Sequence, residues 1–132
     1  MTYGLDTSAL MRILVGQPSD LAEKVDARLV ELIEAGHEIR VSDLAISEAY
    51  YVLQDFYGLT KEQAIESLST LKATPGFVLS KAVTEALCTP NLAHASPGFI
   101  DRVLALGHIN ENEPVIACEK SFKKLKNVEV IV

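Results

Sequence analysis

Short apolar runs alternate with longer amphipathic segments along the whole chain, and this alternation constrains the fold more than any other feature. In the longer segment over residues 21–33, apolar side chains recur at helical spacing. Five short runs have the length and apolar character of strands: residues 2–5, 39–41, 77–79, 115–118 and 128–132. Strands separated by helices form a parallel sheet with helices on both faces. The sequence therefore predicts an α/β protein, a three-layer α/β/α sandwich with a central, mainly parallel sheet of about five strands.

Local signals indicate where several helices begin. Ser42 or Asp43 is placed to cap the helix predicted over residues 44–56. Thr60 and Gln63 form a capping box ahead of residues 61–71. Ser96 followed by Pro97 is a favourable start for a helix that ends near Gly107, because proline is tolerated at the first helical position. The remaining helices are predicted over residues 8–15, 21–33 and 81–87.

Length and composition predict one ordinary globular domain over residues 1–132, with 48% hydrophobic and 23% charged residues. The net charge of -6 argues against a protein that binds nucleic acid mainly through an overall positive charge. It leaves room for an enzyme acting on nucleic acid, since metal-binding acids themselves add negative charge.

Targeting signals and cysteine patterns are missing from the sequence. The opening MTYGLD is not typical of a signal peptide. No apolar run approaches the roughly 18 residues of a membrane span, so a cytoplasmic protein is expected. The two cysteines form neither a disulfide framework nor a metal pair, and Cys118 is expected to be buried at the end of a strand.

Four acidic residues lie near points where a strand ends or where a helix begins. Asp6 directly follows the first strand, and Glu119 directly follows the fourth. Glu48 lies in the second turn of the helix that leaves the second strand, and Asp101 lies in the first turns of a helix that precedes the fourth. All four positions belong to the carboxyl edge of a parallel sheet, where such folds bind ligands. We expect the four side chains to converge on this edge.

Clustered carboxylates repel one another unless a cation or a proton lies between them. Two like charges 4 Å apart repel by about 1 kcal/mol in water and about 4 kcal/mol at an effective dielectric of 20. Oxygen ligands with open positions suit Mg²⁺ or Mn²⁺, and such an ion assists phosphodiester hydrolysis. Taken singly, each acid also has a structural interpretation: a helix cap for Asp6, a solvated helix residue for Glu48, a dipole partner for Asp101 and a loop acid for Glu119.

Around these acids the chain resembles the PIN-domain ribonucleases, and most closely the VapC-type toxins of prokaryotic toxin–antitoxin pairs. The resemblance covers nearly the whole chain. The matching segments are LDTSAL at residues 5–10, SEA at 47–49 with VL at 52–53, FIDR at 99–102 with LA at 104–105, and VIACEKSF at 115–122.

This resemblance implies a Mg²⁺- or Mn²⁺-dependent endoribonuclease, often a homodimer, that is neutralised by a cognate antitoxin. Asp6, Glu48 and Asp101 would be the main acids, joined by Glu119, and Thr7 or Ser8 would hydrogen-bond a water or a phosphate. The last segment departs from the family pattern of Thr-x-Asp followed by another Asp, because this chain has Ala117, Glu119 and Ser121.

Two alternatives follow from these observations. The departures at Ala117, Glu119 and Ser121 favour a catalytically weakened PIN-like domain that binds RNA or a protein partner. An acid after the first strand also occurs in haloacid-dehalogenase-type hydrolases and receiver domains, but here Ser8 replaces the second acid of those folds.

Basic residues near the acids have two interpretations each. Arg12 and Arg102 would contact the scissile phosphate or offset carboxylate charge. The lysines of residues 120–126 form a solvated helix face, or a local basic rim that holds RNA phosphates.

Overall fold

The computed structural model describes all residues from Met1 to Val132 and divides the chain into two compact units. The first unit, Met1–Ser80, contains in chain order β1 (Thr2–Leu5), α1 (Thr7–Val15), α2 (Ser19–Glu34), β2 (Glu38–Val41), α3 (Asp43–Asp55), α4 (Lys61–Ala73) and β3 (Phe77–Val78). The second unit, Lys81–Val132, contains α5 (Lys81–Leu87), a 3₁₀ helix (Leu92–His94), α6 (Phe99–Ile109), β4 (Val115–Ala117), a second 3₁₀ helix (Lys120–Lys124) and β5 (Val128–Val130).

The first unit is built on a parallel sheet in the order β1-β2-β3. Tyr3 pairs with Ile39, and Leu5 pairs with Val41, so β1 and β2 end at the same level. Because both strands end together, α1 and α3 begin next to each other at the carboxyl edge of the sheet.

One face of this sheet carries the core of the first unit. Ile39 is completely buried and packs with Leu29 and Leu32 of α2. Burying an isoleucine side chain contributes about 1.5–3 kcal/mol. The residues of β1 and β2 that point to the opposite face are exposed: Thr2, Gly4, Glu38 and Arg40. The strict alternation in β2 therefore marks one apolar and one polar face.

The second unit has its own small core under a two-stranded parallel sheet of β4 and β5. Val115 pairs with Val128 in this sheet. The buried cluster consists of Ala105 of α6, Val115 of β4 and Phe122 of the 3₁₀ helix that precedes β5. Phe122 thus anchors the segment between the two strands.

The predicted α/β class with parallel strands is confirmed. Five strands are present, as expected, and hydrogen bonding divides them into a sheet of three and a sheet of two. The capping box of Thr60 and Gln63 is confirmed, and Ser42 is the residue that caps α3. The single domain expected over residues 1–132 stays a prediction. No helix combines the length and the apolar character needed to cross a membrane.

Two local predictions were wrong. The helix expected to start at Ser96 and Pro97 starts at Phe99, because the carbonyl of Gly98 accepts the first helical hydrogen bond, from the Arg102 N–H. Cys118 is exposed, because β4 ends one residue earlier at Ala117. Neither cysteine forms a disulfide bond.

Candidate functional site

Asp6 lies directly after β1 and is the N-cap residue of α1. Its backbone is extended, and its Oδ1 accepts a hydrogen bond of 2.9 Å from the Ala9 N–H. An acceptor at this position satisfies one of the free N–H groups of the first helical turn. The structural role of Asp6 as a cap is therefore real, and it fixes the carboxylate at the carboxyl edge of the sheet.

Ser8 holds the same carboxylate from a second direction. Its hydroxyl lies 2.9 Å from Asp6 Oδ1 and 3.0 Å from Oδ2, and donates toward both. The hydrogen bond from the Ala9 N–H, followed by that from the Ser8 hydroxyl, lowers the pKa of Asp6 below its ordinary value of 3.8. Asp6 is exposed, so it offers an ionised carboxylate to solvent at neutral pH.

Glu48 is brought next to this group by α3. The Thr7 hydroxyl donates a hydrogen bond of 3.2 Å to Glu48 Oε1, across 41 residues of sequence. The contact follows from the parallel register of β1 and β2, which places the first turns of α1 and α3 side by side. The structure therefore places Glu48 against Thr7, the residue that follows Asp6.

Glu48 sits between two exposed apolar side chains of α3. Leu44 lies one turn before it and is 71% exposed, and Tyr51 lies one turn after it and is 51% exposed. Residues three or four apart share a helix face, so these three side chains form a mixed strip. This strip was not predicted, although the spacing of Leu44, Glu48 and Tyr51 is visible in the sequence.

A cleft of about 360 Å³ opens at the carboxyl ends of β2 and β3. It is lined by Arg40, Val41, Ser42, Asp43, Val78, Leu79 and Ser80. Arg40 pairs with Gly4, two residues before Asp6. From strand spacing its Cα lies about 8 Å from that of Asp6. Arg40 was also missed. Its signal was a basic residue at the exposed position between the buried Ile39 and Val41.

The other two predicted acids belong to the second unit. Asp101 is half-buried in the first turn of α6. Beside it, the Arg102 Nε donates a hydrogen bond of 2.7 Å to the Pro97 carbonyl, so this guanidinium is partly committed to the backbone. Glu119 precedes the 3₁₀ helix Lys120–Lys124, is exposed, and makes no side-chain cap.

The donor set of the first unit fits a hard divalent cation. Mg²⁺ typically binds through one or two carboxylates and keeps several waters, and Asp6 and Glu48 are two carboxylates that each accept from a hydroxyl in the first turn of α1. Nowhere are three or more His, Cys, Asp and Glu side chains gathered as metal ligands. The convergence of all four acids on one ion stays a prediction.

The remaining basic and histidine candidates have structural surroundings. The Arg12 Nε is buried and has no hydrogen-bond partner. His37 packs edge-on against Tyr3, with ring centroids 5.4 Å apart. His108 pairs with Glu113 at 2.9 Å on the surface. These contacts give His37 a packing role and His108 a surface role.

The fold and the acidic pair define an α/β protein with parallel strands and carboxylates at the strand ends. No family model and no curated protein sequence matches the chain. Among solved structures, it is similar to a chain in the crystal structure of VapBC2 from Rickettsia felis bound to a DNA fragment from their promoter. The two chains are 18% identical, 99% of this chain and 98% of the other are covered, and the TM-score is 0.42. Function is therefore inferred from the residues themselves.

Proposed function

We propose that this protein is a metal-dependent endoribonuclease, the toxin of a type II toxin–antitoxin pair. The observation that carries the proposal is the joined group of Asp6, Ser8, Thr7 and Glu48 at the carboxyl edge of the first sheet. These two acids come from distant parts of the chain, and each accepts a hydrogen bond from a hydroxyl in the first turn of α1; Asp6 also has a lowered pKa. The RNA substrate is inferred from the resemblance of residues 5–10 and 47–49 to the PIN-domain ribonucleases.

Asp6 and Glu48 are the residues that would hold Mg²⁺ or Mn²⁺. Such an ion supplies neutralisation of phosphoryl charge and activation of water. By the same resemblance, Asp101 and Glu119 would complete the ligand set. Their side chains are the oxygen donors that these ions prefer.

The residues of the chain itself have separate tasks in the reaction. In-line attack forms a bond between a water oxygen and phosphorus, and breaks the bond between phosphorus and the leaving ribose oxygen. The water loses a proton and the leaving oxygen gains one. Ser8 keeps Asp6 ionised and oriented, and Thr7 orients Glu48. Arg40, which has no ion pair, lies beside the site and would bind a neighbouring phosphate of the RNA.

The sharpest test of the activity is Asp6→Asn. Asparagine keeps an acceptor for the Ala9 N–H and is an equally good helix cap, so the variant retains the fold and loses the charge. RNA cleavage in Mg²⁺ or Mn²⁺ is expected to fall at least about tenfold, which is about 1.4 kcal/mol in transition-state stabilisation. Asp20→Asn, an exposed acid in the first turn of α2, is the matched control. Equal cleavage by wild type and Asp6→Asn would overturn the proposal.

A second candidate is a weakened PIN-like domain that binds RNA or a protein without cutting RNA. It is favoured by the surroundings of the departing residues. Ala117 packs against the core of the second unit, where the family has a hydroxyl, and Glu119 is exposed with no side-chain hydrogen bond. RNA binding without cleavage, unchanged by a chelator and by Asp6→Asn, would favour this candidate over the enzyme.

The proposed antitoxin partner would bind in an apolar groove of the first unit. A groove of about 480 Å³ runs between α1, α2, α4 and β3. Its walls are Ile13, Leu14, Leu29, Val30, Ile33, Leu71 and Phe77, with Asp26, Thr70 and Thr74 as polar members. Apolar walls with one carboxylate suit a segment that presents apolar side chains and one cation.

Two exposed residues of α2 offer a matched pair for testing the groove. Val30 is 54% exposed and lines the groove, whereas Leu21 is 45% exposed and lies outside the groove lining. Val30→Glu should weaken binding of the proposed antitoxin, and Leu21→Glu should leave it unchanged. Sedimentation of the purified protein alone tests the proposed homodimer in the same series.

A further inference from the structure

The segment from Lys120 to Lys126 concentrates positive charge on an acidic protein. Four of the twelve Lys and Arg residues of the chain fall within these seven positions: Lys120, Lys123, Lys124 and Lys126. All four are exposed. None of them forms an ion pair or a side-chain hydrogen bond.

The local backbone directs these side chains outward. Residues Lys120–Lys124 form a 3₁₀ helix, in which side chains three apart lie on the same side. Phe122 and Leu125 are three apart and pack into the core of the second unit. Lys120 and Lys123 form a second such pair that faces solvent. The buried Phe122 and the partly buried Leu125 therefore anchor the segment so that Lys120 and Lys123 face solvent.

Two other cations of the chain are already engaged in ion pairs. Arg28 pairs with Glu31 at 2.7 Å, and Lys81 pairs with Glu85 at 3.6 Å. The acids that flank the lysine segment in sequence are Glu119 and Glu129, both exposed. Four lysines between two acids leave an uncompensated positive surface, although the whole chain carries -6.

We propose that the lysine segment 120–126 is a binding site for the phosphate backbone of single-stranded RNA, separate in role from the acids that cut it. This inference rests on the proposed function, since it assigns how the same substrate is held. Lysine ammonium groups act as point charges on phosphates and do not read bases. The site would therefore strengthen RNA binding independently of sequence.

The salt dependence of binding gives a quantitative test. Each phosphate neutralised on a single strand changes the slope of log affinity against log salt by about −0.7. Binding of fluorescent oligouridylate is measured in a chelator, so that no cleavage occurs, over a series of NaCl concentrations. Replacing Lys120, Lys123 and Lys124 by Gln should make the slope shallower by about 2.

A second triple variant provides the matched control. Lys24→Gln, Lys61→Gln and Lys72→Gln remove the same charge from exposed positions of the first unit, and should leave the slope within error of wild type. Equal slopes in the two triple variants would overturn the proposal. So would tight binding to phosphatidylserine vesicles with no measurable binding to RNA.

The outcomes separate this proposal from the proposed nuclease. If Asp6→Asn loses cleavage and the lysine variant shows the shallower slope, both proposals stand. If wild type binds RNA through the lysines and never cleaves it, the binding site stands and the nuclease fails. If wild type cleaves RNA and the lysine variant binds with an unchanged slope, the nuclease stands and this inference fails. Far-ultraviolet circular dichroism confirms that each triple variant is folded.

Discussion

Asp6 shows how one residue can satisfy a structural and a chemical requirement together. Its Oδ1 caps α1 through the Ala9 N–H, and the hydrogen bonds that do so also keep the group ionised. A cap needs only an acceptor, which serine, threonine or asparagine also provides. A cation site needs the charge. Asp6→Asn separates the two, because it removes the charge and keeps the acceptor.

The first prediction concerns the pH dependence of stability. The folded pKa of Asp6 lies below its ordinary value of 3.8. A group whose pKa is lowered by folding stabilises the folded state above its unfolded pKa, and this contribution is lost as the pH falls through the folded pKa. The unfolding free energies of wild type and Asp6→Asn should therefore converge below pH 3.8. Urea denaturation across the acid range measures this, and a difference that grows toward acid would contradict it.

The acidic site could be predicted from the sequence only in part. Asp6 is visible because its cap and its place after a strand are local features. The contact from Thr7 to Glu48 spans 41 residues and depends on the register of β1 against β2, which no local pattern specifies. Arg40 was overlooked for the same reason, since its neighbour Gly4 is known only once the strands are paired.

Among the elements, the best predictions were those with a complete local signal. The capping box of Thr60 and Gln63 involves only one helical turn, and both of its hydrogen bonds are present at 2.9 and 3.1 Å. Ser96 and Pro97 form an equally familiar signal for the start of a helix, but α6 does not begin there. Ser96, Pro97 and Gly98 all lie just before α6. Gly98 is the N-cap, and because it has no side chain that could cap the helix, the sequence does not identify it as such.

The second prediction compares three glycine-to-alanine changes. Gly76 has φ of +92°, and a Cβ there would lie 2.8 Å from Ile33 side-chain atoms of α2. Left-handed strain and overpacking together should destabilise Gly76→Ala by about 2–5 kcal/mol. Gly58 has φ of +70° in open space, so Gly58→Ala should cost about 1 kcal/mol. Gly107 lies inside α6 in open space, and Gly107→Ala should stabilise by about 0.5–1 kcal/mol.

Denaturant unfolding of the three variants checks this order. The chemical change is the same in each, so the ranking isolates backbone conformation and packing. A Gly76→Ala variant as stable as Gly58→Ala would show that the close approach of Ile33 to Gly76 is wrong, and a Gly107→Ala variant less stable than wild type would show that Gly107 does not lie in open space inside α6.

For the molecule as a whole, the two units differ in how completely their strands are paired. In the first, β2 has a partner on each side, and the Ile39 N–H donates to the Gly76 carbonyl at 2.8 Å. In the second, β4 and β5 have only each other. Strands with fewer partners open with less free energy.

The third prediction follows from this difference. The amides of Val115 and Ile131 donate to carbonyls across the β4–β5 pair. Their hydrogen exchange should be at least about tenfold faster than that of Ile39, which is about 1.4 kcal/mol in opening free energy. Residue-resolved exchange on the full chain measures it. Equal protection would mean that β4 and β5 open only when the first unit does.

The last prediction tests cation binding at the level of the whole charge distribution. The chain carries -6 at pH 7, so any added cation relieves self-repulsion and raises stability somewhat. Binding at a specific site adds to the free energy of unfolding. This contribution grows with the concentration of the ion and reaches about 2.7 kcal/mol when the free ion is at a hundred times its Kd. For a chain of this size that is a rise of about 10 °C in the thermal midpoint.

Magnesium and manganese titrations should therefore raise the wild-type midpoint well beyond NaCl at matched ionic strength, with the extra rise missing in Asp6→Asn. Asp20→Asn makes the same change in net charge at an exposed position away from β1, and should keep the extra rise. If NaCl reproduces the whole effect, or Asp6→Asn responds as wild type does, the cations act on the overall charge and Asp6 is a helix cap alone.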